Sequence, residues 1–182
     1  MKKYFDQLHT RLETLEISIL FRVQKVLNDA LESGKNVFIA GNGGSAATAQ
    51  HFATDLSKDI INSRGEGIKV YCLSTNSSII TAFGNDLSFD FIFAKQIENY
   101  ANNEDVLIVL TCSGESSNII NSLKVARSRN MHTIAFTGTT GGLIVQEELA
   151  EIIVHVPEQH YGIVEDVHHA ACHAIAFSLK TN

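Results

Sequence analysis

The 182-residue chain is predicted to fold as an α/β protein with a parallel sheet covered by helices on both faces. Three observations carry this. Five short apolar runs, rich in Val, Ile and Leu, lie at 36–40, 68–73, 106–110, 132–136 and 151–156. Near-continuous apolar strands are the pattern of a sheet buried on both sides. Segments of helical character separate them, at 44–58, 88–100, 116–129, 142–149 and 163–179, so strand and helix alternate as in βαβ units. Finally, several runs pass directly into small polar or glycine-rich loops. Ligands bind at that end of the strands in open α/β sheets.

Taken in order, residues 3–33 read as one helix. Leu8, Leu12, Leu15 and Ile19 recur at three- and four-residue steps, as do Val23, Val26, Leu27 and Leu31, and Gly34 supplies a stop. The first strand, Asn36-Val37-Phe38-Ile39-Ala40, runs into Gly41-Asn42-Gly43-Gly44-Ser45 and then an Ala-rich helix. Glycines at a helix N-terminus let backbone N–H groups approach an anion, and the helix dipole favours negative charge there. The second strand is followed by Ser74-Thr75-Asn76-Ser77-Ser78, a turn-forming stretch. The third is followed by Thr111-Cys112-Ser113-Gly114-Glu115-Ser116-Ser117-Asn118, where three hydroxyls precede a helix start. Hydroxyl and amide donors can wrap a phosphate without Lys or Arg. Helix capping explains one such loop; two in one chain favour a ligand site. The fourth strand is followed by Thr137-Gly138-Thr139-Thr140-Gly141-Gly142.

Composition bounds the function. The length suits a single domain, 1–182, and the net charge of −6 gives no support to a nucleic-acid surface. No apolar run approaches the roughly 18 residues of a membrane span. The first residues lack the apolar core of a signal peptide, so a cytoplasmic protein is expected. Cys72, Cys112 and Cys172 are odd in number and show no CxxC spacing, so they read as buried or site-lining thiols in a reducing compartment.

Two clusters carry titratable chemistry. His51 and Asp55 stand four residues apart, on one face of the helix after the first strand. In the last helix, Glu165, His169 and His173 form one stripe with His168 beside it. A lone histidine is usually a surface or satisfied core residue. Three within nine residues, with two acids, weaken that reading. Together the clusters offer His51, Asp55, Glu165 and His173 to Zn²⁺ or another divalent ion. Asp55, Glu165 and His173 also suit proton transfer between adjacent carbons. Asn85 and Asp86 either hydrogen-bond sugar hydroxyls or simply form a turn.

The segments GNGGSAATAQHFATDL at 41–56, AFGND at 82–86, VLIVLTCSGESSNII at 106–120, FTGTTGG at 136–142 and EDVHHAACHAI at 165–175 together resemble the sugar-isomerase (SIS) domain family of the phosphoheptose isomerase type. The resemblance implies a three-layer α/β/α fold with a five-stranded parallel sheet and an N-terminal helical segment, 1–34, used in packing. It also implies a homotetramer with sites at subunit interfaces and one zinc per subunit. The implied reaction converts sedoheptulose 7-phosphate to D-glycero-D-manno-heptose 7-phosphate for bacterial surface polysaccharides. By this resemblance the substrate loop falls on Asn42, Gly43, Gly44 and Ser45, and a histidine ligand on His51. The catalytic, metal-binding glutamate falls on Asp55, one methylene shorter. The sugar-contacting pair falls on Asn85 and Asp86. The phosphate loop falls on Thr111, Cys112, Ser113 and Ser116, with a thiol where the family has its middle threonine. The glutamine ligand falls on Glu165 and the last histidine on His173, while Gly162 stands where an aspartate is usual. The implied function is a phosphosugar aldose–ketose isomerase. The alternative is a non-catalytic relative that binds a phosphosugar or a replication initiator protein.

Overall fold

The computed structural model describes residues 1–62 and 65–181. Five parallel strands, β1 (Asn36–Gly41), β2 (Lys69–Cys72), β3 (Val106–Thr111), β4 (His132–Thr137) and β5 (Ile152–His155), form one sheet in the order β2-β1-β3-β4-β5. The order steps outward in opposite directions from β1 and β3, so the loops after these two neighbours diverge to opposite faces and leave a crevice between them. Their register, with Gly41 opposite Leu110, brings both exits to the same sheet edge.

Every residue of β3 is buried, and β4 is exposed only at His132. Alternate side chains divide between two cores. Val37, Ile39, Ile108, Leu110, Ile134 and Phe136 pack with α2 (Ile17–Ser33), α3 (Gly43–Asp59) and α8 (Tyr161–Thr181). Phe38, Ala40, Leu107, Val109 and Ala135 pack beneath α5 (Ala94–Tyr100) and α6 (Ser117–Ser128). This is the three-layer arrangement expected for apolar strands buried on both faces. β2 lies at an edge and is half covered, with Tyr71 stacked on Phe38 at 5.4 Å.

The structure corrects two helix assignments. The single helix expected over 3–33 is two, α1 (Lys2–Glu13) and α2, broken at Thr14–Glu16. The apolar period runs through the break because Leu15 packs against both neighbouring cores. The helix expected over 88–100 is a 3₁₀ turn, Phe89–Phe91, followed by α5. A further helix, α4 (Ser77–Asp86), occupies a stretch read as loop. Asn76 caps it by accepting the Ile79 N–H at 3.1 Å, so the polar residues after β2 are helix-start chemistry. Ser74 is structural too: its hydroxyl donates to the Gly41 carbonyl at 2.8 Å and ties the exits of β1 and β2 together. The short helix α7 is Gly142–Gln146.

Candidate active site

The loop after β1 is shaped by close approach. A Cβ on Gly41 would stand 2.6 Å from the Ser45 carbonyl oxygen, so the strand turns into α3 with no room for a side chain. Gly43 has φ +54°, in the left-handed region that glycine enters freely. Asn42 precedes the helix in an extended conformation and makes no side-chain cap bond. Its amide instead pairs with that of Asn118: Asn42 Nδ2 donates to Asn118 Oδ1 at 2.9 Å, and Asn118 Nδ2 donates to Asn42 Oδ1 at 3.0 Å. Asn118 is buried in the first turn of α6, so this double bond clamps the two glycine- and serine-rich loops together.

The loop after β3 is ordered by its own hydroxyls. Thr111 Oγ1 accepts the Gly114 N–H at 3.2 Å, and Ser113 Oγ accepts the Glu115 N–H at 3.1 Å. Ser116 occupies the α6 cap position but makes no side-chain cap bond. The residue lines the cavity at the helix start. Glu115 turns away and accepts the Leu143 N–H at 3.1 Å, at the start of α7.

Asn42, Gly43, Gly44, Ser45, Thr111, Cys112, Ser113, Ser116 and Glu165 line one cavity of about 250 Å³. These are nine of the eleven substrate-binding positions expected from sequence; Tyr161, which the sequence reading passed over, also lines it. It opens α8 just after the structured turn at 156–160, and a single aromatic at a helix start carries no distinguishing sequence signal. Asn85 and Asp86 are not brought to this cavity. They sit exposed in the last turn of α4, with Asn85 Nδ2 donating to Asp86 Oδ1 at 2.9 Å.

Glu165 projects from α8 onto the N-terminus of α3. Its carboxylate lies where a side chain on Gly44 would have to go, next to the helix-start N–H groups that favour an anion. Cys112 Sγ stands 3.9 Å from Glu165 Oε1. Burial first, then the Glu165 charge, push the Cys112 thiol up to about 11, so at neutral pH it is a neutral lining group.

A second cluster lies where α3 crosses α8. His51 Nε2 and His173 Nε2 are 2.9 Å apart, and Asp55 Oδ2 stands 3.4 Å from the first and 3.6 Å from the second. His169 completes the group: one ring nitrogen from each of His51, His169 and His173 lies within 4.8 Å of the others. Burial, followed by the His173 and His51 rings, lowers the His169 pKa. Glu165 is not a member of this three-imidazole group; the structure places it at Gly44 instead.

His168 is a core histidine. It is 1% exposed, donates from Nε2 to the Thr137 carbonyl at 3.2 Å, and meets Phe136 edge-on at 5.7 Å. Its Nδ1 makes no hydrogen bond among the described residues. Burial pushes its pKa down to about 4. Cys172 is also buried, with its thiol pushed up by desolvation. Among the described residues no helix is long and apolar enough to cross a membrane.

Fold and loops together define an open α/β domain with a cavity at its topological switch point, and the chain belongs to the SIS-domain family, whose description matches residues 3–138. Within that family it is of the phosphoheptose isomerase type. It is 34% identical to the probable phosphoheptose isomerase of Thermoplasma acidophilum over 174 residues, covering 96% of this chain and 94% of that one. It is 38% identical to the phosphoheptose isomerase of Aliarcobacter butzleri over 168 residues, covering 90% and 87%. The solved phosphoheptose isomerase from Francisella tularensis superposes with a TM-score of 0.90 at 28% identity, covering 100% of this chain and 96% of the other.

Proposed function

We propose that this chain is a phosphosugar aldose–ketose isomerase acting on sedoheptulose 7-phosphate to give D-glycero-D-manno-heptose 7-phosphate, a precursor of surface heptose. The observation that supports it best is the cavity between the β1 and β3 loops, where hydroxyl and backbone donors converge with a carboxylate. The hydroxyls of Thr111, Ser113 and Ser116, with the first N–H groups of α6, bind the phosphate dianion. The Asn42 loop carries the sugar chain, held by Asn118. A carboxylate takes a proton from the carbon next to the ketone, and the resulting cis-enediol receives it back on the adjacent carbon; Asp55, Glu165 and His173 are the groups assigned to this transfer.

The α3–α8 cluster fits the zinc ion expected of this family. Imidazole and carboxylate donors suit Zn²⁺, and donor atoms of His51, Asp55 and His173 already lie 2.9 to 3.6 Å from one another. Bound there, such an ion supplies polarisation of the carbonyl and hydroxyl oxygens. Asn85 and Asp86 do not line the cavity of their own chain, so the sugar contact assigned to them would come across a boundary between chains. That placement supports a homotetramer with sites at subunit interfaces. So does the exposure of Phe5, Ile17, Phe21 and Phe177 on α1, α2 and α8. The assigned location is the cytoplasm, where phosphosugars are handled.

The test is isomerisation in deuterated water by zinc-loaded protein on a panel of ketose phosphates. Turnover of sedoheptulose 7-phosphate with label at the carbon next to the carbonyl is expected. Absence of turnover and of label exchange on every ketose phosphate would reject the reading.

A further inference from the structure

We propose that His169 is a metal ligand in this chain, giving a site of His51, Asp55, His169 and His173, and that Glu165 stays outside it as a cavity-lining group. The proposal rests on the isomerase reading only for the presence of a divalent ion. The assignment of ligands comes from geometry.

The helix repeat is the first argument. His169 and His173 are four residues apart on α8, one turn along the same face, as His51 and Asp55 are on α3. Each helix therefore presents a pair separated by about 6 Å of rise, and the two pairs face each other where the helices cross. Glu165 lies a further turn away, eight residues and about 12 Å along the axis from His173, and it is His169 whose ring nitrogen stands with those of His51 and His173.

The side chains themselves stand in the same arrangement. The ring centroids of His51 and His169 are 4.6 Å apart, those of His169 and His173 4.5 Å, and those of His51 and His173 4.8 Å. The three rings surround one point, and Asp55 approaches two of them. Glu165 is held elsewhere, against the Gly44 backbone and the Cys112 thiol.

Third, the chemistry of the set is coherent. Three imidazoles and one carboxylate form a nitrogen-rich site that suits Zn²⁺ or Co²⁺ over the oxygen-seeking Mg²⁺ and Mn²⁺. Gly44 has no side chain to displace Glu165 from the α3 N-terminus, so the carboxylate has a favourable seat without an ion.

Full-length protein is stripped with chelator and titrated with Zn²⁺ against a chromophoric competitor, without sugar. Visible absorption of the Co²⁺-loaded protein is recorded alongside, and thermal melting confirms folding of each variant. His169→Gln and His169→Ala are expected to weaken Zn²⁺ binding at least tenfold and to change the Co²⁺ spectrum. Glu165→Ala, which removes the side-chain donor altogether, is expected to leave affinity within about twofold and the spectrum unchanged. The assignment is overturned if Glu165→Ala weakens binding as much as either His169 variant, if both His169 variants bind like the parent, or if the parent takes up no ion. Since no sugar is present, failure of the isomerase reading leaves these outcomes legible, and failure of the ligand assignment leaves the isomerase assay intact.

Discussion

Asn42 and Asn118 hold the site together by exchanging amide hydrogen bonds of 2.9 and 3.0 Å between the loop after β1 and the first turn of α6. Each residue supplies both a donor and an acceptor, so the pair fixes the distance between the two loops as well as their relative rotation.

Asn118→Ala leaves the Asn42 amide without its partner. A loss of about 1–3 kcal/mol of stability is expected, the usual result of orphaning one side of a partly buried polar pair. Affinity for phosphosugar should fall as well, because both loops lose their spacing. Urea denaturation of Asn42→Ala, Asn118→Ala and the double variant checks this. The second substitution should cost much less once the first is made; full additivity would show that the bonds are not coupled.

Gly44→Ala tests the seat of Glu165. The nearest atoms an added methyl meets belong to the end of the flexible Glu165 side chain, and alanine is the better helix former by up to about 1 kcal/mol. Stability should hold or rise while kcat/KM drops by about tenfold or more. In a Glu165→Ala background the same change should have little further effect. An equal drop in both backgrounds would mean that Gly44 acts through something other than Glu165.

Replacing Ser113 and Ser116 together by alanine should raise the phosphosugar dissociation constant by about tenfold for each charge-assisted bond lost. Ser116 makes no cap bond, and Ser113 accepts one N–H, so the stability change should stay near 1 kcal/mol. Calorimetric titration with a ketose phosphate measures the first quantity and thermal melting the second. Unchanged affinity would remove this loop from the phosphate site.

His168 predicts an acid limit to stability. Burial lowers its folded pKa to about 4 from an ordinary value of 6.5, so between these values the unfolded chain binds the extra proton and stability rises with pH. The contribution is complete above pH 6.5 and is lost progressively as pH falls toward 4. The full span corresponds to about 3 kcal/mol. His168→Gln should flatten the stability profile in this window, at the cost of a lower plateau. A parallel profile for parent and variant would show that other groups set the acid limit.

The strands were readable because both faces of the sheet are covered, which makes the centres of β1, β3 and β4, at 37–40, 106–110 and 134–136, apolar without interruption. The break at Thr14–Glu16 was not, because Leu8, Leu12, Leu15 and Ile19 keep helical spacing across it and the corner costs no apolar contact. Helix α4 was hidden by its own start, since Asn76, Ser77 and Ser78 read equally as cap or loop. The cavity was legible in its two loops, whose glycines and hydroxyls are local features. The partition of Glu165 and His169 was not, because both lie on one stripe of α8. Which of them meets His51 depends on where along its length α3 crosses.

The histidine cluster joins segments far apart in the chain: His51 and His173, 2.9 Å from one another, are separated by 122 positions. Between them run four of the five strands. Closing so long a loop costs entropy that only the completed sheet repays. A partly folded chain, even one with β1 and α3 formed, therefore holds only half of the cluster. The capacity to gather these imidazoles is a property of the finished molecule, and it distinguishes native protein from compact intermediates that have comparable helix content.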